Sequence, residues 1–121
     1  MATVVSDFIQ IVGDAPVTIG ANVTELPFST GGRVSGSGVA STALLLFNLK
    51  GLTTATIPVK VNNVVVGNIF PYAGANADHW YTQMVALTGS QLVNGNNEIQ
   101  LESNTDSFQI KNMVCFFHQS A

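Results

Sequence analysis

The stretch TIPVKVNNVVVGNIF, residues 56–70, decides the fold because it holds two apolar runs separated by two asparagines. Both runs are rich in Val and Ile, which favour β-strands. Asn62 and Asn63 tolerate the positive φ angles that a two-residue turn between antiparallel strands requires. The stretch therefore predicts a β-hairpin in which Val61 faces Val64.

Two residues inside this hairpin predict irregularities in its strands. Pro58 has no N–H group to donate to a neighbouring strand, which predicts a position at or near a sheet edge. Gly67 interrupts the second run, which predicts a β-bulge. The hairpin is therefore expected to be the place where the sheet departs from regular pairing.

Outward from the hairpin, short β-type runs joined by Gly, Asn and Asp turns fill the chain. The run 40–52 is compatible with a short helix as well as a strand, and its brevity and β-rich surroundings favour a strand. Residues 29–38 are rich in Gly and Ser and predict a loop. Besides the hairpin, the predicted strands cover residues 3–12, 16–24, 40–52, 80–88, 98–103 and 107–117.

About eight short strands with turn signals between them predict an all-β fold, a two-sheet antiparallel jelly-roll-like β-sandwich. The clean alternation over 98–102 predicts that Ile99 and Leu101 point inward. With 121 residues and no linker or internal repeat, we expect one domain spanning 1–121.

The charge content excludes some functions. Charged residues make up 9% of the chain, and four Lys and Arg against seven Asp and Glu give a formal net charge of -3. Without a basic cluster, a nucleic-acid partner is not expected. No apolar run is long enough to predict a membrane span. The N-terminal residues show no signal-peptide pattern, so the expected location is unknown, either cytoplasmic or reached by a non-classical route.

Several motifs resemble those of a known fold family. These are VNNVVVG at 61–67, Trp80 at the start of a strand, LVNGNNEIQL at 92–101, and Asp106 and Phe108 in the pattern Asp-x-Phe-x-Ile. Their order resembles the second half of galactose-binding-like jelly-roll β-sandwiches, the carbohydrate-binding and accessory modules of glycoside-processing enzymes. The resemblance covers about residues 56–117. It implies a sandwich whose end loops bind sugars in many members and serve structure in others.

The sequence does not predict an enzyme. Cys115 and His118 are three residues apart and would lie on opposite faces of a strand, so they do not form a nucleophile–base pair. Cys115 lies in an apolar run and is expected to be a buried, inert thiol. No cofactor motif or zinc spacing is present, and no catalytic residue, metal ligand or cofactor is predicted. Calcium dependence stays open, because scattered acids such as Asp78 and Asp106 give no loop signature.

The loop 71–81 is the predicted ligand site. Sugars stack an apolar ring face on an aromatic side chain, while amide, carboxylate and imidazole groups bind their hydroxyls. This loop combines both kinds of group. The alternative is that Trp80 only packs against the sandwich end while the polar residues solvate a connection. The predicted binding residues are Tyr72, Asn76, Asp78, His79 and Trp80, with Arg33 as a forked donor from the Gly/Ser loop.

Three runs are apolar at successive positions, whereas a sandwich strand should be apolar on one face only. The runs 44–47, 64–66 with 69–70, and 113–117 would leave apolar side chains on the exterior. An exposed patch of this size favours a covering copy of the chain, hence a homo-oligomer, over a lid formed by the chain itself. We therefore predict a non-enzymatic, lectin-like carbohydrate-binding module that gains avidity by homo-oligomerisation. The alternative is a structural, self-assembling subunit of a particle, fibre or larger complex.

Overall fold

The architecture is that of a β-sandwich without helices in the part of the chain that is described. The computed structural model describes residues 4–30, 33–34, 42–72, 79–88, 91–93, 95–104 and 107–120. Within these ranges no helix is long and apolar enough to cross a bilayer. The strands are β1 Val4–Val12, β2 Val17–Ile19, β3 Thr24–Ser29, β4 Arg33–Val34, β5 Thr42–Lys50, β6 Ile57–Val61, β7 Val64–Ile69, β8 Tyr81–Thr88, β9 Asn96–Leu101 and β10 Phe108–Ser120.

The two sheets arise from nested antiparallel pairs. The first sheet has the order β1-β10-β5-β8, with β2 and β4 also paired to β10, and the second has the order β3-β9-β6-β7. Each pair lies inside the previous one in the sequence, from the chain ends to the central hairpin: β1–β10, β3–β9, β5–β8 and β6–β7. Such nesting is the arrangement of a jelly roll. The predicted two-sheet, jelly-roll-like fold is therefore confirmed.

The central hairpin forms as predicted. Asn62 and Asn63 have φ angles of 50° and 69°, which fit a type I′ turn, and Val61 pairs with Val64. The Asn62 side chain also donates to Asn97 Oδ1 at 2.9 Å, and its Oδ1 accepts from the Glu98 backbone N–H at 2.9 Å. The turn is thereby fixed to the start of β9 rather than left free at a loop tip.

Pro58 lies near a sheet edge, as predicted, because β6 is the neighbour of the edge strand β7. Its strand, β6, lies inside the second sheet between β9 and β7. However, β6 pairs with β9 only at Lys60 and Val61, so Pro58 lies in the part of the strand that has no β9 partner. A proline is tolerated there because no ladder with β9 is formed.

Two predictions about the first half of the chain need correction. The predicted strand at 16–24 ends at Ile19, and a separate strand, β3, begins at Thr24 and continues through Pro27. The alternation was missed because Pro27 lowers the strand signal, although it points outward while Leu26 and Phe28 are buried. The predicted loop at 29–38 contains the two-residue strand β4, which pairs with the end of β10.

One hydrophobic core fills the space between the sheets. Gly67 lies at the predicted bulge, because Val59 pairs with Gly67 and Lys60 with Val65, which leaves Val66 as the extra residue. A Cβ atom at Gly67 would lie 2.7 Å from Val85 Cγ1 on β8 of the opposite sheet. The glycine therefore allows the two sheets to approach closely along this side. The largest fully buried side chains include Phe47, Phe108, Leu45, Ile99 and Leu101.

The central strand β10 changes its inward-facing positions halfway along. Ile110 is buried before the change in sequence, and Met113 and Cys115 are buried after it. The change occurs at Asn112, whose φ is 52°. Lys111 pairs with Asn48 and Val114 with Leu46, so two residues of β10 lie opposite one residue of β5. This left-handed bulge lets both halves of the strand fill the core.

The exterior of the first sheet carries apolar side chains, as the two-faced strands predict. Phe8 pairs with Phe116 and Phe116 with Leu44 across three neighbouring strands. Phe8 is 64% exposed, and its ring centroid is 6.1 Å from that of Phe116. We define the outer apolar stripe as Phe8, Leu44, Leu46, Met84, Val114 and Phe116. No residue within this stripe is charged.

The Cys115 side chain is part of the core. It is fully buried, and burial raises the pKa of the thiol to about 12 because the anion would lose its hydration. The thiolate, which is the nucleophilic form, is therefore absent at neutral pH. The predicted buried position of this cysteine is confirmed.

Replacing Gly67 with alanine should destabilise the protein. We expect Gly67→Ala to lower the free energy of unfolding by about 1 to 3 kcal/mol, because the added methyl group overlaps Val85. Chemical denaturation measures the change. Adding Val85→Ala should make the cost of Gly67→Ala smaller, and an unchanged cost in that background would contradict the close approach of the sheets.

Cys115 should resist alkylation in the folded protein. Because burial raises the thiol pKa, we expect iodoacetamide at pH 8 to label the native chain at least about tenfold more slowly than the denatured chain. The raised pKa also means that this group stabilises the fold below pH 9 and less so as the pH rises towards 12. Equal labelling rates, followed by mass spectrometry, would show that the thiol is accessible.

Candidate functional site

Two tyrosines cover one end of the sandwich. Tyr81 begins β8, and its hydroxyl donates to the Leu52 carbonyl at 3.1 Å. The Tyr72 backbone N–H donates to the same carbonyl at 3.1 Å. The two rings are 5.3 Å apart and inclined at 37°, an arrangement typical of favourable aromatic pairs. Tyr72 is thus held in place while its side chain stays 46% exposed.

The segment after β7 is fastened to β8 by a side-chain amide. The Phe70 N–H donates to Gln83 Oε1 at 3.0 Å, and Gln83 Nε2 donates back to the Phe70 carbonyl. Gln83 therefore imitates the pairing of a neighbouring strand. The Phe70 ring remains 58% exposed beside this end. We call Phe70, Tyr72 and Tyr81 the Tyr72 end.

Trp80 directly precedes Tyr81 in the chain, and two cations lie against its ring. Lys50 Nζ lies 5.0 Å and Lys111 Nζ 4.3 Å from the ring centroid, within the range of cation–π interactions. Lys50 ends β5, and Lys111 lies on β10 opposite Asn48. We call these three residues the Trp80 cluster. The indole is half-buried, so the ammonium groups compete with any sugar for its faces.

The structure brings together only part of the predicted site. Tyr72, His79 and Trp80 lie at one end of the sandwich, with His79 exposed. Asn76 and Asp78 lie outside the described residues. Arg33 does not join this end, because its backbone pairs with Ser120. Ser120 is nine residues from Lys111 along β10, which corresponds to roughly 30 Å in a strand.

The sequence analysis missed the two lysines of the Trp80 cluster. Lys50 and Lys111 are distant in sequence and belong to no motif, so only the pairing of β5 with β10 places them together. The composition shows only that the chain has four Lys and Arg residues, and it does not show that two of them meet at Trp80. Within the described residues, no group of three or more His, Cys, Asp or Glu side chains is arranged to hold a metal ion.

A shallow cleft of about 220 Å³ lies on the exterior of the second sheet, opposite the Trp80 cluster. It opens where β6 separates from β9 beyond Lys60. Gln100 is one of its lining residues and is fixed by hydrogen bonds, with Nε2 donating to Asn63 Oδ1 at 2.9 Å and to Glu98 Oε1 at 2.7 Å. Its polar lining comprises Glu25, Lys60, Asn63, Gln100 and Glu102. No aromatic residue lines this second-sheet cleft within the described part of the chain.

Comparison with known proteins identifies a structural relative but no family. No protein-family model and no curated protein matches the sequence. Among solved structures, the chain is similar to a beta-porphyranase of glycoside hydrolase family 86 from the human gut bacterium Bacteroides plebeius. The two share 17% sequence identity with a TM-score of 0.68. The superposition covers 99% of this chain and 21% of the enzyme's chain.

This similarity concerns the fold. The chain corresponds to about a fifth of the enzyme's length, and at 17% identity the match shows a shared β-sandwich. A carbohydrate-processing protein therefore contains a sandwich like this one. The predicted membership of the galactose-binding-like superfamily stays a prediction.

Proposed function

We propose that this chain is a non-enzymatic carbohydrate-binding module that binds sugar at the Tyr72 end. The observation that carries the proposal is the half-exposed Tyr72 ring, fixed by Tyr81 at one end of a jelly-roll sandwich. The fold shared with a segment of a glycoside hydrolase supports the same ligand class by analogy. The buried, protonated Cys115 offers no nucleophile.

The geometry suits a weakly bound pyranose ring. The exposed face of Tyr72 can stack against the C–H groups of one sugar face, and its fixed position lowers the ordering cost of binding. His79 is exposed within the same segment and offers ring nitrogens to sugar hydroxyls. Phe70 extends the apolar surface beside Tyr72. One such site gives low affinity, because the contact area is small.

Self-association would raise the avidity of these sites. The outer apolar stripe crosses four strands of the first sheet, and apolar patches of this kind mark interaction surfaces. A two-fold interface brings the same patch of both copies together, and an uncharged stripe causes no like-charge repulsion there. We therefore propose that two copies pack their first sheets together and present two Tyr72 ends.

The rival proposal is a structural, self-assembling subunit. The same stripe supports it, and so does the second hydrophobic surface at the hairpin tip, where Val64 and Val65 are about half exposed. Two different apolar surfaces permit contacts that do not close into a dimer, which leads to fibres or larger particles. Particles seen by electron microscopy, together with blank glycan binding, would favour this rival.

Removal of the Tyr72 ring should weaken sugar binding. The probe is the neutral oligosaccharide that binds best on a glycan array. We expect Tyr72→Ala to lower the affinity for this probe about tenfold, which corresponds to the loss of roughly 1.4 kcal/mol of stacking free energy. Isothermal titration calorimetry measures the change. Tyr72→Phe keeps the ring and should retain most of the affinity.

The location of binding is tested with a variant in the other surface. Lys60→Ala in the second-sheet cleft should leave the affinity unchanged. A loss in Lys60→Ala but not in Tyr72→Ala would move the site to the cleft. An array without any bound glycan would refute the proposed function itself.

Charge placed in the outer apolar stripe should separate the copies. We expect the native chain to have at least twice its monomer mass of 12.7 kDa in light scattering coupled to size exclusion. Leu46→Lys combined with Phe116→Lys should yield monomers, because the interface would bury unpaired charges. Val65→Lys at the hairpin is the matched control and should not change the mass. A native monomer at all concentrations would exclude the proposed dimer.

A further inference from the structure

The Trp80 cluster concentrates positive charge in an acidic protein. Two of the four Lys and Arg residues lie beside one indole ring, although the formal net charge of the chain is -3. Both ammonium groups lie within 5.0 Å of the same ring centroid, so they repel each other, and the indole quadrupole offsets part of that repulsion. An ordinary surface separates like charges, so this convergence requires a physical cause.

The backbone of β10 supplies that cause. In a regular strand Lys111 would share the inward face with Met113, which is buried. The left-handed bulge at Asn112, with φ of 52°, reverses the alternation and turns Lys111 to the exterior. The Asn112 N–H donates to the Gly13 carbonyl at 2.8 Å, which fixes the bulge. Bulges of this kind commonly re-aim side chains at functional sites.

Within the part of the chain that the structure describes, the cluster has a single and weak counter-charge. Asp14 Oδ1 lies 4.0 Å from Lys111 Nζ, but the Asp14 side chain is 93% exposed, so the pair contributes little. Among the described residues, no carboxylate forms a salt bridge with Lys50. An anionic ligand would therefore find two ammonium donors already held in place.

We propose that the Trp80 cluster binds the sulfate or carboxylate group of an acidic saccharide. This inference rests on the proposed function. Trp80 directly precedes Tyr81, whose ring packs on Tyr72, and consecutive residues of a strand point to opposite faces. The cluster therefore lies on the outer face of the first sheet, and the Tyr72 end lies on the inner side of the edge strand β8. An oligosaccharide with one unit stacked on Tyr72 can pass round the edge strand β8 and place a charged unit at Lys50 and Lys111. The neutral ring supplies stacking, and the anion supplies charge-assisted hydrogen bonds and selectivity.

The distribution of charge favours a saccharide over a nucleic acid. Nucleic-acid binding draws its affinity from many Lys and Arg contacts along a phosphate backbone. Here the other two cations lie elsewhere, Lys60 in the second-sheet cleft and Arg33 beside the far end of β10. A site of two cations fits one or two anionic groups, not a phosphate track.

The test compares the affinity of the full chain for a neutral and for a sulfated galactan of similar backbone. Agarose oligosaccharides are the neutral probe, and carrageenan oligosaccharides are the sulfated probe. We expect the sulfated oligosaccharide to bind about tenfold more tightly at low salt and to lose this advantage as salt is added. The double variant Lys50→Gln with Lys111→Gln should bind both probes equally. Lys111→Arg, which keeps the charge, and Lys60→Gln, in the other cleft, should keep the preference.

The outcomes separate this inference from the proposed function. Equal native affinity for both probes, or a preference that survives in the double variant, would refute the anionic site while sugar binding stands. Binding of neither probe would refute both proposals. Single-stranded DNA bound more tightly than the sulfated probe, through the same two lysines, would refute the saccharide as the ligand.

Discussion

The structure depends on how one long strand crosses the first sheet while filling the core with both of its halves. β10 pairs with β1, β2, β4 and β5, so a fault in its register would affect most of the sheet. A regular alternation would place either Lys111 or the residues around Met113 on the wrong side. The bulge at Asn112 removes this conflict, because one added residue changes the phase. The core and the positive charge outside it therefore have the same structural origin.

The exterior of the first sheet is divided along its strands into two surfaces of different chemistry. The outer apolar stripe occupies the rows from Phe8 and Phe116 to Met84. A polar row follows, in which Thr82 Oγ1 donates to Asn48 Oδ1 at 2.7 Å, and the Trp80 cluster lies beyond it. Packing of two copies through the stripe would leave the Trp80 clusters at the rim of the interface. Self-association and ligand binding are thus compatible on one face.

The sequence predicted the parts of the fold that depend on local signals. The asparagine turn, the alternation around Ile99 and the two-faced apolar runs are all present as expected. Pro58 indicated the neighbourhood of an edge because a proline marks a missing ladder contact, which here results from the separation of β6 and β9. The short strand β4 was missed because two residues in a Gly/Ser segment carry no periodicity.

The candidate site was predictable only in part, for a similar reason. Aromatic and polar residues close in sequence indicated the Tyr72 end, while Lys50 and Lys111 meet through strand pairing and through a bulge at Asn112. A single asparagine in an apolar run gives no reliable sign of a positive φ. Strand pairing also places Arg33 beside Ser120, away from the aromatic and polar residues of loop 71–81 with which it was predicted to share a ligand. Residue types therefore predict a ligand class that stays a proposal, whereas the topology determines which residues lie close enough to share a ligand.

The most direct test of the central claim is a map of where a sugar contacts the protein. Backbone amide shifts of the ¹⁵N-labelled chain, followed by NMR during titration with a sulfated galacto-oligosaccharide, give this map. The account predicts that the largest changes occur at Tyr72, His79, Trp80 and the two lysines, Lys50 and Lys111. Changes confined to the second-sheet cleft, or no changes at saturating sugar, would contradict it.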